Sequence, residues 1–218
     1  MKQTALNKLE TCEALVAALT TLSSNADYLN RLDQALGDGD HGSTIARGSD
    51  SAIRELQSGS FDSVNHEFET IGTAMMKSMG GASGMLFGIL FRSAKKCPAS
   101  ETMDTPTLAS FLRCGLAELK RKTQAAVGDK TMMDALVPAV AALEAQETMP
   151  LQLALKSAAA AANEGAKSTV GMLPRFGRAT TLGERARAAR DPGATSVALF
   201  VGSLSNAVDT LSSKAADR

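Results

Sequence analysis

The amino-acid sequence predicts an all-α protein, and three observations carry the prediction. Alanine is abundant while aromatic residues make up only 4 % of the chain, a composition that favours packed helices over sheets. Apolar residues recur every three to four positions over most of the length, the period of a helix with one buried face. Runs of β-branched residues long enough for a strand are scarce. The 218 residues, 44 % of them hydrophobic, are ample for a core. No repeat or long linker divides them, so the economical reading is one domain over residues 1–218 with about eight or nine helical segments and no strand.

Taken in order, residues 4–22 place Leu6, Leu9, Leu15, Leu19 and Leu22 on one helical face. Ser23-Ser24-Asn25 breaks or caps that helix. A second helix over 25–36 carries Tyr28, Leu29, Leu32 and Leu36 and ends beside Asp33. Residues 42–57 are again helical, 58–62 form a turn, and 62–79 follow with Val64, Phe68, Ile71, Met75 and Met76 at helical spacing. His66 lies among polar neighbours there and reads as an ordinary exposed histidine. Gly80 to Gly84 is a glycine-rich turn leading into the apolar run MLFGILF. Cys97-Pro98 and Thr102 to Pro106 punctuate the chain before a helix over 106–122, which ends in Lys120-Arg121-Lys122. Gly128 to Met132 opens the helix MMDALVPAVAAL, with Asp129 and Thr131 either capping it or touching a ligand. An alanine-rich helix over 150–169 comes next. Residues 170–195 have no sustained apolar period and carry Arg175, Arg178, Arg185, Arg187 and Arg190, which reads as a lid or binding loop. The last helix covers 194–213.

Charge excludes some function classes. Lys plus Arg and Asp plus Glu both number 23, for a net charge of +0, so no global field draws the chain to nucleic acid or an anionic membrane. Cys12, Cys97 and Cys114 lack any metal-ligand spacing and fit free thiols in a reducing cytoplasm. The first residues show neither a signal peptide nor a membrane span.

The chemistry gathers in Leu32 to Gly48, LDQALGDGDHGSTIARG. Asp33, Asp38 and Asp40 lie within eight residues, interleaved by Gly37 and Gly39, so the turn can bring the three carboxylates together. Hard oxygen ligands around a sharp turn suit Mg²⁺, which shares its remaining sites with water and phosphate. The competing reading is a solvated turn. A calcium loop is excluded, because the twelfth positions are Ser49 and Ser51 rather than a bidentate acid. The helix that begins at His41 or Gly42 is expected to offer unpaired N–H groups to phosphate. Ser83 in the glycine turn can likewise reach a phosphate or cap a helix. That turn is neither a Walker loop nor a nucleophile elbow, since no Gly-Lys-Ser/Thr follows and Met85 stands where the elbow needs glycine.

Five motifs in order, LDQALGDGDHG, GGASG, GDKTM, GRATTLGER and DPGATS, resemble the L subunit of dihydroxyacetone kinase and the equivalent carboxy-terminal domain of single-chain ATP-dependent enzymes, over about residues 25–200. The resemblance implies an eight-helix antiparallel barrel holding ADP or ATP with two Mg²⁺ ions at one end. It implies metal ligation by Asp33, Asp38 and Asp40. It implies nucleotide contacts at His41, Gly42, Ser43, Thr44, Ala82, Ser83 and Thr123, at Met132 beside the adenine, and at Asp191, Pro192 and Gly193. Arg178 in the lid would be the catalytic group. The chain departs from the family pattern at Thr180-Thr181 and in the LPRF run before Gly177.

The same resemblance implies a partner, the K subunit that binds the short ketose. It leaves two modes open: ADP held as a coenzyme and recharged by a phosphocarrier M subunit, or ATP exchanged at each turnover. It also leaves open a different class of function, a nucleotide-state-dependent module that regulates a transcription factor. Neither the ketose nor the oligomeric state follows from the motifs, and a homodimer is compatible with them.

Overall fold

The computed structural model describes residues 5–216. Its first residues pair rather than coil: β1 (Ala5–Asn7) lies antiparallel to β2 (Thr102–Asp104), with Leu6 opposite Met103, both fully buried. This ribbon corrects the expectation of no strand and of a helix running from residue 4, which itself lies outside the described residues. Three-residue strands are too short to show an alternating pattern. Asn7 then caps α1 (Lys8–Ser24), accepting the N–H of Glu10 while the Glu10 carboxylate accepts that of Asn7, a reciprocal cap that fixes where the helix starts. Leu15, Leu19 and Leu22 are buried, whereas Leu9, assigned to the same face, stands 70 % exposed.

Eight further α-helices follow among the described residues: α2 (Ala26–Gln34), α3 (His41–Ser58), α4 (Val64–Ser78), α5 (Gly81–Arg92), α6 (Thr105–Lys122), α7 (Met133–Glu144), α8 (Leu151–Ser168) and α9 (Pro192–Ala216). Two 3₁₀ segments, Ser93–Lys96 and Arg178–Ala188, interrupt the connections. The second gives the lid helical turns that its lack of an apolar period did not predict, broken by Gly183 at φ 56°. The fold is all-α, as the composition predicts.

Consecutive helices pack side by side in the order α1, α3, α4, α5, α6, α7, α8, α9, and α9 packs back against α1 to close a ring, with α2 against α3 outside it. Short connections make ring neighbours run up and down. A hydroxyl pair, Thr21 to Ser203 at 2.7 Å, ties the closing seam. The interior is filled by aliphatic side chains and by Phe68, Phe91, Phe111 and Phe200, which meet edge to face or tilted. The three cysteines are free thiols, Cys97 and Cys114 with sulfurs 3.0 Å apart. No helix among the described residues is long and apolar enough to cross a membrane.

This up-and-down order places the end of α2, the start of α3, the start of α5, the loop before α7 and the start of α9 at one end of the ring. All the candidate motifs lie in those connections.

Candidate nucleotide and metal site

Asp33 sits in the last turn of α2 and organises the reversal that follows. Its backbone carbonyl accepts from the N–H groups of Leu36 and Gly37. Its Oδ2 accepts from Asp40 N–H at 2.9 Å and His41 N–H at 3.1 Å. The other oxygen, Oδ1, would lie 3.1 Å from a Cβ at position 37, so glycine there leaves that oxygen uncrowded. Gly39 turns the chain at φ 78°, in the left-handed region. One carboxylate oxygen each from Asp33, Asp38 and Asp40 falls within 4.8 Å of the others. Three like charges that close repel unless a cation joins them. The guanidinium of Arg178 lies against Asp38 Oδ2, a positive group standing beside the trio. Hard anionic donors at a half-open mouth fit Mg²⁺.

The start of α3 differs from expectation. The N–H groups of His41 and Ser43 are already taken, by Asp33 and by Asn30 Oδ1 at 3.0 Å, so that helix start is less open to phosphate than the sequence suggests. Asn30 also donates to the Ser43 hydroxyl. Gly42 presses on α2, where a Cβ would strike the Ala26 carbonyl. The His41 ring turns inward: Nε2 is 2.9 Å from Ser196 Oγ, and Nδ1 is 3.5 Å from Ser83 Oγ. Because Ser196 gives its own hydrogen to the Pro192 carbonyl, Nε2 is the donor and Nδ1 the acceptor. Burial pushes the ring down to about 4, against the opposing pull of Asp33 and the Pro192 carbonyl, so it is neutral near pH 7. A neutral histidine thus joins α3, α5 and α9. Thr44 is buried, its hydroxyl accepting from Arg47, which also donates to the carbonyls of Ser78 and Met79. Arg47 thereby fixes the approach to the glycine turn.

In that turn Gly80 and Gly81 adopt φ 69° and 60°, and α5 has begun by Gly81. Ala82 is exposed and Ser83 half-buried in its first turn.

The loop before α7 is tied from within. The Asp134 carboxylate accepts from Gly128 N–H at 2.6 Å and Thr131 N–H at 2.7 Å, and the Thr131 hydroxyl accepts from Met133 N–H. Thr131 and Asp134 thus carry out the capping that the sequence reading divided between Asp129 and Thr131. Asp129 instead accepts from Ala126 N–H and pairs with Arg175 of the lid at 3.4 Å. Thr123 caps the end of α6, its hydroxyl accepting from Ala125 N–H; no hydrogen bond joins it to the other candidate residues. Met132 is buried beside Gly193. Asp191 caps α9, accepting from Ala194 N–H at 2.6 Å, while its own N–H donates to Thr169 Oγ1. Burial pushes the Asp191 carboxyl up to about 7; Asp134 and Asp33 add to this, and the Ala194 bond and Lys130 oppose it.

The structure therefore brings together Asp33, Asp38, Asp40 and Arg178, links His41 to Ser83, and sets Met132 against Gly193. Sequence reasoning missed Asn30, Arg47, Lys130 and Asp134. A capping signature, Thr131 followed three residues later by Asp134, was present for the last. The other three act across distances that no local pattern encodes.

The DAK2 domain family matches residues 35–206. The chain is 36 % identical over 178 residues, 80 % of this chain and 85 % of the relative, to the ADP-binding subunit DhaL of the PEP-dependent dihydroxyacetone kinase of Escherichia coli (strain K12). It is 34 % identical over 207 residues to the D-erythrulose kinase of Mycolicibacterium smegmatis, covering 92 % of this chain and 35 % of that one. The crystal structure of the dihydroxyacetone kinase from C. freundii in complex with AMP-PNP and Mg²⁺ superposes with a TM-score of 0.71 at 31 % identity, covering 94 % of this chain and 35 % of that chain. The chain thus spans about a third of the length of these last two relatives.

Proposed function

The chain belongs to the DAK2 domain family, and from that membership we propose that it is the nucleotide-holding, phosphoryl-transferring subunit of a kinase for dihydroxyacetone or a related short ketose. It works in the cytoplasm as a single domain, with a separate K-type subunit that presents the ketose. The observation that carries this reading is the convergence of three carboxylates and a lid arginine at one mouth of the ring. The name of the Escherichia coli relative, an ADP-binding subunit, and the AMP-PNP and Mg²⁺ of the C. freundii complex support it.

In this reading Asp33, Asp38 and Asp40 hold two Mg²⁺ ions. Three carboxylates and two such ions sum to a charge of about +1, suited to a polyphosphate. When bound, the metal supplies charge neutralisation to the phosphate oxygens. Asp33 is held ready for that role, because two backbone N–H groups fix its carboxylate through Oδ2. Ser43, Thr44, Ala82 and Ser83 border the phosphates, and His41, kept neutral, sets the spacing between α3, α5 and α9. Met132, Pro192 and Gly193 receive the adenine, with Thr123 and Asp191 at the edges of that pocket. Arg178 leaves Asp38 for the developing negative charge as the terminal phosphoryl passes in line to the ketose hydroxyl.

Calorimetric titration with ADP and Mg²⁺, followed by extended dialysis, tests the reading. Retained stoichiometric ADP assigns the coenzyme mode with a phosphocarrier M subunit, rapid loss assigns exchange with ATP, and no binding at all overturns the proposal.

A further inference from the structure

Lys130 plays no part in the chemistry above, yet it is held in an unusual way. Among the described residues it is the one non-glycine residue with a left-handed backbone, φ 58°, and it is only 2 % exposed. Both features are unfavourable for a lysine, so its ammonium must be well partnered where it is. Nζ donates to the carbonyl of Thr169 at 2.5 Å and to the carbonyl of Ala189 at 2.5 Å. Thr169 ends α8, where a cation also complements the helix dipole. Ala189 lies just past the last 3₁₀ turn of the lid. One ammonium therefore closes the neck of the loop between them.

The bonds around that neck run the same way. Thr169 Oγ1 accepts the N–H of Asp191 at 2.9 Å, and Gly171 N–H donates to the Arg187 carbonyl at 2.8 Å. Beyond the neck the lid touches the loop before α7 through Arg175 and Asp129, and its remaining ion pairs are exposed: Arg178 against Asp38 and Arg187 against Glu184.

We propose that Lys130 is a positioning residue that straps the two feet of the lid together, so that the lid moves as one flap and Arg178 at its tip returns to the acid trio. Resting on the nucleotide reading above, the strap also keeps ADP from escaping, because Lys130 lies two residues before Met132 and so ties the loop that carries the base pocket to the feet of the flap.

The test compares the wild-type chain with Lys130→Met, which keeps the apolar stem and removes the donors. Limited trypsin digestion at the lid arginines should proceed at least tenfold faster in the variant, with helical circular dichroism unchanged. Dissociation of ADP in the presence of Mg²⁺ should quicken at least tenfold while the association rate stays within twofold. Cleavage and dissociation both within twofold of wild type would overturn the strap. Amide exchange on the wild-type chain decides the matter even if the variant does not fold: Gly171 and Asp191 should exchange far more slowly than Thr180 to Gly183, and equal rates would refute the proposal. Digestion and exchange need no nucleotide, so a wild-type chain that fails to bind ADP counts against the nucleotide reading alone.

Discussion

The acid turn and the arginine lid face the same mouth, but they are held there by opposite means. The turn from Asp33 to His41 is closed by bonds between residues no more than eight apart, and the inward-facing His41 ring ties it to distant helices. The lid hangs from Lys130, which is 39 residues from one foot and 59 from the other, and its tip rests on Asp38 through an arginine side chain that is 74 % exposed. An exposed ion pair of this kind adds little stability. In the proposed reading the cradle is thus pre-set while the cover is free to leave: geometry would be fixed where charge must be gathered and loose where substrate must pass.

The largest expected effect lies on the loose side. Arg178→Ala should slow phosphoryl transfer at least a hundredfold, about 2.7 kcal/mol of barrier, with the melting temperature unchanged. A drop in melting temperature would show that the tip is structural after all. On the fixed side, Asp38→Asn should weaken Mg²⁺-ADP binding more than tenfold, about 1.4 kcal/mol, again with melting unchanged. Asp33→Ala should lose at least as much affinity and also about 1 kcal/mol of stability, because Asp33 caps two N–H groups as well. Equal melting of the two aspartate variants by calorimetry would sink the idea that the cradle is built by its own backbone bonds.

A control comes from the far end of the ring. Glu67 is 1 % exposed, its Oε2 has no hydrogen-bond partner, and burial raises its carboxyl from 4.5 to about 8, with Lys8 opposing. The folded chain therefore keeps this proton where the unfolded chain releases it, so stability falls as pH rises from about 4.5 to 8. Glu67→Gln should flatten that slope and add about 1 kcal/mol at pH 8, without moving nucleotide affinity. If affinity moved too, the two ends of the ring would be coupled and the contrast between cradle and cover would need redrawing.

The same difference in range explains what the sequence disclosed. The acid trio was legible because its spacing is its geometry: six residues, two of them glycines, between Asp33 and Asp40 admit few other turns. Helix limits were legible from leucine spacing and caps to within a few residues. The β1–β2 ribbon was not, since Leu6 fits a helical face equally well and its partner Met103 lies far along the chain. Nor did any pattern reveal that Asn30 would hold Ser43 or that Arg47 would secure Ser78 and Met79. In the lid, glycine, proline and arginine announced an irregular cover, but its 3₁₀ turns and its anchor at Lys130 depend on contacts made only after α7, α8 and α9 have packed.

The closing seam between α1 and α9 has a kinetic consequence. Every other junction in the ring joins helices that are consecutive or one helix apart along the chain, so most of the molecule can assemble through local encounters, which are fast. Thr21 and Ser203 must find one another across 182 residues, and the entropy lost in such a closure grows with the length spanned. The seam is then the last junction to zip during refolding and the first to part, so Ser203→Ala should speed unfolding more than it slows refolding. A circular permutant covalently joined across the seam and opened at another junction would keep the ring and move its slow step.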